Sequence, residues 1–274
     1  MGSRIPPPNR LSVIAASVNG RVHNMSTMCF DYVALGVLEV GMALQLRTRT
    51  IGVLLENPAL HRAVADECRA RGFHVLAGQL DGLITDGPDP GGLPVVFVDR
   101  TGDGDSVVST NVAGAAAAVR HLVSHGHTRI AYLGGMRTLS TQGERHRGYL
   151  RAIGRRAGPE VHDLHDETAA ERATIAVLRG PQAPTAIFAA QSAITIGVVR
   201  ALRRTEKVVA LVGFDFPGAD LLEPAVTVVA QDPVRMGRTA VDALVERIDG
   251  FDGPPREIRI PTTLIPRGSG ELSI

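Results

Sequence analysis

Short apolar runs alternate with helical segments along most of the chain, and this alternation restricts the possible folds more than any other feature. Thr50–Glu56 (TIGVLLE) and Val208–Phe214 (VVALVGF) are continuous apolar runs of strand length. Such runs predict strands that are covered on both faces, as in parallel sheets. Helical patterns such as Ala59–Arg71 and Pro233–Ile248 lie between the runs. This order predicts an α/β fold with doubly wound parallel sheets, and the irregular strand spacing argues against a closed barrel.

The composition limits the partners and the compartment of this protein. The chain has 274 residues and a net charge of +1, so its overall charge does not attract nucleic acid or an acidic membrane. Its cysteines, Cys29 and Cys68, form no disulfide or zinc-binding pattern, which favours a reducing cytoplasm. The apolar stretch Phe30–Leu46 contains Asp31 and Glu39, so we expect a helix outside the membrane rather than a transmembrane segment.

Polar residues directly follow several of the predicted strands. In open parallel sheets, ligands bind beyond the carboxyl ends of the strands, so these positions carry most of the functional information. Carboxylate and amide side chains there can bond to the hydroxyl groups of a small ligand, or they can cap loops and helices. The residues at these positions are Glu56, Asp99, Gly135, Gln191, Asp215 and Gln231.

Five segments in a fixed order resemble the LacI/GalR family of transcriptional regulators. They are STNVAGAAAAVRHLVSHGHTRIAYLGG at Ser109–Gly135, GERHRGYLRAI at Gly143–Ile153, PTAIFAAQSAITIGVVRALR at Pro184–Arg203, VVALVGFDF with the following LLEPAVTVVAQDPVRMGRTAVDALVERI, and PTTLIPRGS at Pro261–Ser269. The resemblance extends over nearly the whole stretch from Thr50 to Ser269. It implies a core like that of type I periplasmic binding proteins, with two Rossmann-like lobes, three crossovers and a small-molecule effector in the cleft.

The resemblance also implies domain boundaries. Residues 49–274 would form the effector-binding core, with the first lobe at about 49–127 and 231–250. The second lobe would take about 128–230 and 251–270. Residues 1–48 would form a small α-helical segment, which is a degenerate version of the helix-turn-helix and hinge of the family.

Several cleft residues match positions of the family's effector site. Arg145 stands where the family places an arginine that binds the effector, and its guanidinium can donate two parallel hydrogen bonds. Asp215 matches the acid that accepts hydrogen bonds from ligand hydroxyls, and Asp99 and Gln231 match further cleft positions. The alternatives are a surface ion pair for Arg145 and a loop cap for Asp215.

Other positions depart from the family pattern. Gln191 and Ser192 replace an Asn-Asp pair, and Phe216 replaces a second acid. The loss of acceptors predicts that the cleft binds an effector that is sugar-like or less hydroxylated than a typical sugar, or that it binds nothing. The first lobe is also short, because two helices that would cover one face of its sheet are missing. Either another segment, such as Phe30–Leu46, or a partner subunit covers that face, or the first lobe has low stability.

The amino-terminal segment keeps few features of a DNA-binding head. Val18–Gly20 resembles the end of the family's recognition helix, but Pro6–Pro8 fix φ and remove backbone donors, which excludes an intact first helix. Base edges are read by Arg, Asn or Gln, whereas the recognition positions of this chain are Ser12–Ala16 (SVIAA). The remaining candidates for DNA contact are Arg10, Asn19, Arg21 and Arg47. The resemblance therefore predicts operator DNA and a homodimer, while the residues predict weak or absent sequence-specific binding.

Three functions stay open at this point. The first is a ligand-responsive transcriptional regulator that acts as a homodimer, and the second is a stand-alone small-molecule-binding protein without DNA affinity. The third is an enzyme on the same scaffold, which would require a histidine within reach of Asp99 or Asp215. The sequence contains no Gly-x-Ser-x-Gly motif, phosphate loop or metal-ligand spacing, so we expect no catalytic residue, cofactor or metal site.

Overall fold

A computed structural model describes residues 48–76, 79–154 and 157–273 of the chain. The chain divides into two units, 1–47 and 48–274, and all the described residues belong to the second. The predicted DNA contacts Arg10, Asn19, Arg21 and Arg47 lie outside the described residues, as does Phe30–Leu46. In the part of the chain that is described, no helix is both long and apolar enough to cross a membrane.

Six strands form a first sheet in which all neighbouring strands are parallel. They are β1 (Thr50–Leu54), β2 (His74–Val75), β3 (Gly82–Thr85), β4 (Val95–Val98), β5 (Asp105–Ser109) and β11 (Glu257–Ile260). Their order across the sheet is β11-β5-β4-β3-β1-β2. Helices α1 (Pro58–Ala70) and α6 (Pro233–Ile248) pack against each other and share one apolar core with the strands. These elements form the first lobe.

Six further strands form a second sheet. They are β6 (Ile130–Leu133), β7 (Ala157–Val161), β8 (Ala186–Ala189), β9 (Ala210–Phe214), β10 (Thr227–Ala230) and β12 (Thr263–Ile265). Their order is β12-β10-β9-β8-β6-β7, with β12 antiparallel to β10 and the other pairs parallel. The helices of this second lobe are α2 (Asn111–Ser124), α3 (Ser140–Ile153), α4 (Glu167–Arg179) and α5 (Ser192–Thr205).

Both faces of the second sheet are buried, which explains the continuous apolar strands. Successive side chains of a strand point to opposite faces. Tyr132 and Phe188 therefore lie in the core beneath α2 and α3, whereas Leu133 and Ile187 lie in the core beneath α4 and α5. All four side chains are at most 1% exposed. The predicted α/β class with two parallel-dominated sheets is confirmed.

The ends of the helices follow from local sequence. The side chain of Asn57 accepts hydrogen bonds from the first turn of α1, and that of Asp232 accepts one from the first turn of α6. In each case a proline, Pro58 or Pro233, occupies the first helical position, where its missing N–H leaves no bond unmade. Gly72, with φ of 75°, follows the end of α1.

Two strands differ from the sequence-based expectation. Neither β5 nor β7 is apparent from hydrophobic pattern, since β5 begins with the charged Asp105 and β7 contains Gly158 and Pro159. Asp105 is nevertheless fully buried, because Arg247 and Arg256 bond to both of its carboxylate oxygens. The sequence pattern of Arg259–Ile265 predicts one strand, but the structure has two here, β11 and β12, and they lie in different sheets.

The described chain crosses between the lobes three times, after β5, after β10 and between β11 and β12. Two of these crossovers are bonded to each other. The N–H of Thr110 donates to the Ile260 carbonyl at 2.9 Å, and the N–H of Thr262 donates to Thr110 Oγ1 at 3.1 Å. Because α2 packs in the second lobe and β11 in the first, the first crossover lies at Thr110 rather than near residue 127, and the third lies near 261 rather than 251.

The first lobe is shortened as expected. Residues 79–94 contain β3 and turns, but no helix. On the face of the sheet opposite α1 and α6, Leu83, Val95 and Phe97 form a small buried cluster, each at most 7% exposed. No helix of the region 79–94 therefore covers the described part of this face.

Candidate functional site

Two aspartates stand directly after strands in an unusual backbone conformation. Asp99 follows β4 with φ of 57°, and Asp215 follows β9 with φ of 53°. Non-glycine residues adopt this left-handed region rarely, and such strain is concentrated at functional sites. Each aspartate is anchored by its own backbone N–H, which donates to Val107 or Val229 of the neighbouring strand. The strand ends thus hold both carboxylates in defined positions.

Arg145 lies in α3 and connects groups of both lobes. Its side chain is 5% exposed. Nε donates to Asn111 Oδ1 at 2.8 Å, and a terminal nitrogen donates to the Ala190 carbonyl at 2.9 Å. The other terminal nitrogen lies 3.8 Å from Asp99 of the first lobe. The guanidinium also lies 3.8 Å from the centre of the Phe214 ring, at a distance typical of a cation–π contact.

Gln231 lies in the second crossover and bonds to Ser109, which directly precedes the first crossover. It is 8% exposed, and its side-chain amide donates to Asp99 at 2.9 Å and to Ser109 Oγ at 2.8 Å. Its backbone N–H lies 3.3 Å from a carboxylate oxygen of Asp215. A single residue thus contacts both aspartates. Four of the predicted effector residues, Asp99, Arg145, Asp215 and Gln231, form one connected network.

Burial raises the pKa of the Asp99 carboxyl, although Arg145 and the amide of Gln231 act in the opposite direction. Burial likewise raises the pKa of Asp215, against the backbone N–H of Gln231, Arg145 and the side chain of Asn57. The pKa of Arg145 is lowered by burial and raised by the two aspartates, and its guanidinium stays charged at neutral pH. Both carboxylates are therefore incompletely compensated here, so hydroxyl donors of a ligand would stabilise their charged forms.

A cavity of about 250 Å³ opens beside Asp215. Residues of both lobes line it, including Ala59 and Pro233 from the first and Phe216 and Arg267 from the second. The volume is below the roughly 300 Å³ of a typical drug-sized site. Phe216 supplies an apolar wall, as its replacement of an acid predicts. The cavity fits a small, compact ligand.

Two predicted site residues lie apart from the network. Gln191 directly precedes α5 and Ser192 begins it. Within the described residues, their side chains form no hydrogen bond to Arg145, Asp99 or Gln231. The side-chain oxygen of Gln191 instead lies against Gly135, at the end of the adjacent strand.

Several residues of the network were not among the predicted site residues. Asn111 is fully buried between Ser109, Glu144 and Arg145. Gln142, at 3% exposure, accepts from the N–H of Gly135 at 3.0 Å and lies 3.5 Å from the Ala190 carbonyl that Arg145 also contacts. The sequence offers one signal for them, since Asn111 begins a motif on which the family resemblance rests. Gln142 and Phe214 look like ordinary helix and core residues in the sequence.

The hydrogen-bond and ion-pair partners of Asp99 and Asp215 are amides, backbone N–H groups and Arg145. Among the described residues, no histidine forms a hydrogen bond or ion pair with either aspartate.

Comparison with known proteins places this geometry in context. A family model for the periplasmic binding protein-like domain matches residues 119–270, more than half of the chain. The repressor PurR of Erwinia tasmaniensis is 29% identical over 232 residues, which is 78% of this chain and 67% of the relative. The ribose operon repressor of Escherichia coli K12 is 29% identical over 191 residues, which is 65% of this chain and 58% of the relative. The chain thus spans about three fifths to two thirds of these proteins.

Solved structures show the same fold. A putative ribose operon repressor from Burkholderia thailandensis superposes with a TM-score of 0.67 at 27% identity, and the match covers 80% of this chain and 99% of the other. A LacI family regulator from Enterococcus faecium with bound ribose gives a TM-score of 0.71 at 21% identity, covering 81% and 98%. The chain therefore belongs to the family of periplasmic binding protein-like domains that LacI-type transcriptional regulators share.

Proposed function

We propose that the cleft between the lobes binds a small sugar-like effector through Arg145, Asp99, Asp215 and Gln231. The main support is the position of Arg145. Its charged guanidinium is buried and lies 3.8 Å from Asp99 and 2.9 Å from the Ala190 carbonyl. Arginine and carboxylate groups at the ends of strands suit ligands with several hydroxyls, because together they supply both donors and acceptors. An effector would replace the weak contact of Arg145 with Asp99 by direct hydrogen bonds.

Ribose is the first ligand to test, because a structure of the same fold contains it and two relatives are named for the ribose operon. We expect saturable ribose binding in isothermal titration calorimetry. Arg145→Lys keeps the charge but loses the planar fork, so it should weaken binding at least about tenfold, or about 1.4 kcal/mol. Asp215→Asn should weaken it similarly, because the stronger charged acceptor is lost.

Arg151→Ala is the matched control, because Arg151 lies on the same helix and is exposed. It should bind ribose as well as the unmodified protein. Binding that is unaffected by both Arg145→Lys and Asp215→Asn would contradict the proposed site. The absence of binding to ribose and to a panel of other pentoses and hexoses would contradict the sugar-like class of effector.

We further propose that this core serves a cytoplasmic transcriptional regulator that acts as a homodimer. The support is the family and the repressor names of the relatives. Binding of the full chain to labelled DNA from around its own gene tests this across a salt series. Specific binding that falls steeply with salt supports a regulator, whereas affinity no greater than for unrelated DNA leaves a stand-alone binding protein. Analytical ultracentrifugation of the same sample tests the homodimer.

A further inference from the structure

Two histidines and a glutamate converge on the surface of the second lobe. His146 Nε2 lies 2.8 Å from Glu160 Oε2, and His162 Nε2 lies 3.4 Å from the same oxygen. Ligand atoms of all three side chains lie within 4.8 Å of one another. The side chains are 27%, 26% and 18% exposed, in the order His146, Glu160 and His162. The cluster is therefore ordered by its own contacts and still accessible from solvent.

The fold brings these residues together from separate elements. His146 lies in α3, Glu160 lies near the end of β7, and His162 directly follows that strand. The side chains of Glu160 and His162 lie on the same side of the chain, since His162 Nε2 contacts Glu160 Oε2. Beneath them, the buried ring of Tyr132 lies 5.0 Å from the His146 ring and 5.2 Å from the His162 ring. Thirteen residues separate His146 from Glu160, so the three residues do not form a compact metal-ligand motif in the sequence. No metal site is predicted from the sequence, because that prediction depends on such short spacings.

We propose that His146, Glu160 and His162 form a binding site for a divalent transition metal, with Zn²⁺ as the first candidate. Two imidazole nitrogens and one carboxylate are a ligand set that zinc uses, with water in the fourth position. Tetrahedral coordination with metal–ligand bonds of about 2.0–2.1 Å places neighbouring ligand atoms about 3.3 Å apart. The distances of 2.8 and 3.4 Å to Glu160 are close to that value.

The donor set also selects the metal. Imidazole nitrogen suits Zn²⁺, Ni²⁺, Co²⁺ and Cu²⁺, whereas Mg²⁺ and Ca²⁺ prefer sites built from oxygen alone. Without metal, the imidazoles can donate N–H bonds to the shared Glu160 oxygen. With metal, the same nitrogens coordinate through their lone pairs, and each ring carries its proton on Nδ1. The metal would tie α3 to the edge strand β7.

Calorimetric titration of the tag-free, metal-stripped full chain at pH 7.5 tests the site, with Zn²⁺ and Mg²⁺ as separate probes. We expect one equivalent of Zn²⁺ to bind through these residues, and none of Mg²⁺. His146→Ala and His162→Ala should each lower the Zn²⁺ affinity at least about tenfold, and Glu160→Gln should lower it in the same direction. Co²⁺ gives an independent readout, because its visible absorption reports tetrahedral coordination by nitrogen and oxygen.

His61→Ala is the matched control, because it removes an exposed imidazole from the first lobe. The His61→Ala variant should still bind one equivalent of Zn²⁺. Circular dichroism checks that each variant is folded, and Glu160→Gln preserves the size of the side chain in case an alanine variant unfolds. The proposal would be overturned if the unmodified protein bound no Zn²⁺. It would also be overturned if all three ligand variants were folded and still bound one equivalent of Zn²⁺ with unchanged affinity.

Discussion

Asp105 shows how one buried charge is stabilised at the start of β5 in the first sheet. Its side chain has no exposed surface, and it accepts hydrogen bonds from the guanidinium groups of Arg247 and Arg256 and from the backbone N–H of Arg256. Both arginines also lie over the ring of Phe251, at 4.7 and 4.6 Å. Burial by itself raises the pKa of the Asp105 carboxyl, but these hydrogen bonds outweigh it and hold the pKa well below its usual range.

Asp105→Asn should lower the free energy of unfolding by about 3 kcal/mol at pH 7, because it leaves two arginines facing a neutral group in a buried position. Urea denaturation followed by circular dichroism measures the loss. Asp249→Asn is the control, since Asp249 pairs with Arg49 at the surface and its side chain is 54% exposed. It should change the stability by less than about 1 kcal/mol.

The same carboxyl also predicts a dependence on pH. Because the folded-state pKa of Asp105 lies below the unfolded-state value, its contribution is fully present above about pH 4 and is lost as the pH falls toward the folded-state pKa. The unmodified protein should therefore lose stability more steeply than Asp105→Asn between about pH 4 and pH 2. Equal slopes for the two proteins would show that Asp105 is not bound by its arginines in solution.

In the second lobe, two pairs of helices pack closely against each other at glycine residues. A methyl group at Gly148 of α3 would press against the Val112 carbonyl of α2 and would lie 2.7 Å from the Cβ of Ala115. A methyl group at Gly197 of α5 would similarly lie 2.6 Å from the Cβ of Ala170 in α4. Each pair therefore packs with its backbones in close contact, and α3 is held at a fixed distance from α2.

Gly148→Ala should destabilise the protein by about 1–3 kcal/mol, because the added methyl group has no room between α2 and α3. Gly143→Ala in the same helix meets nothing within 4 Å, so the higher helix propensity of alanine should stabilise the protein by about 0.5–1 kcal/mol. Chemical denaturation of both variants gives the comparison. A Gly148→Ala variant as stable as Gly143→Ala would contradict the close packing of the helices.

The sequence predicts most of this architecture because strands that are buried on both faces have continuous apolar sequences. β1 and β9 lie within the predicted apolar runs Thr50–Glu56 and Val208–Phe214, and α6 has its predicted bounds. β5 escapes prediction because its buried Asp105 is compensated by arginines more than 140 positions further along the chain. The same limit applies to the site. Arg145 and Asp99 stand at recognisable positions, whereas Gln142 and Phe214 join the network only through tertiary contacts.

Each lobe has its own apolar core. The core of the first lobe contains residues of β1, β3, β4 and β5 together with Ile260 of β11, which is 3% exposed. Two other cores lie on the two faces of the second sheet. Since these cores share no residue, the lobes should open by separate unfolding events.

Ile260→Ala should therefore reduce the hydrogen-exchange protection of amides in β1, β3 and β4 by about 3 kcal/mol, while amides in β8 and β9 keep theirs. Val212→Ala, which removes methyl groups from a fully buried position in the second lobe, should give the reverse pattern. Native-state hydrogen exchange read by mass spectrometry resolves the two patterns. An equal loss in both lobes for each variant would show that they unfold as one unit.

The three crossovers also have a consequence for the nascent chain on the ribosome. The helices α2–α5 and all strands of the second sheet except β12 have been made once synthesis reaches Ala230. The first sheet, although it begins earlier, must wait for α6 to cover its face and for β11 to pair with β5. At roughly 5–20 residues per second, the roughly 150 residues between Ser109 and Ile260 take about 8–30 s to translate. The half of the core that is translated first thus stays incomplete while most of the chain is made, and during that interval its apolar face and the edge of β5 are open to chaperones.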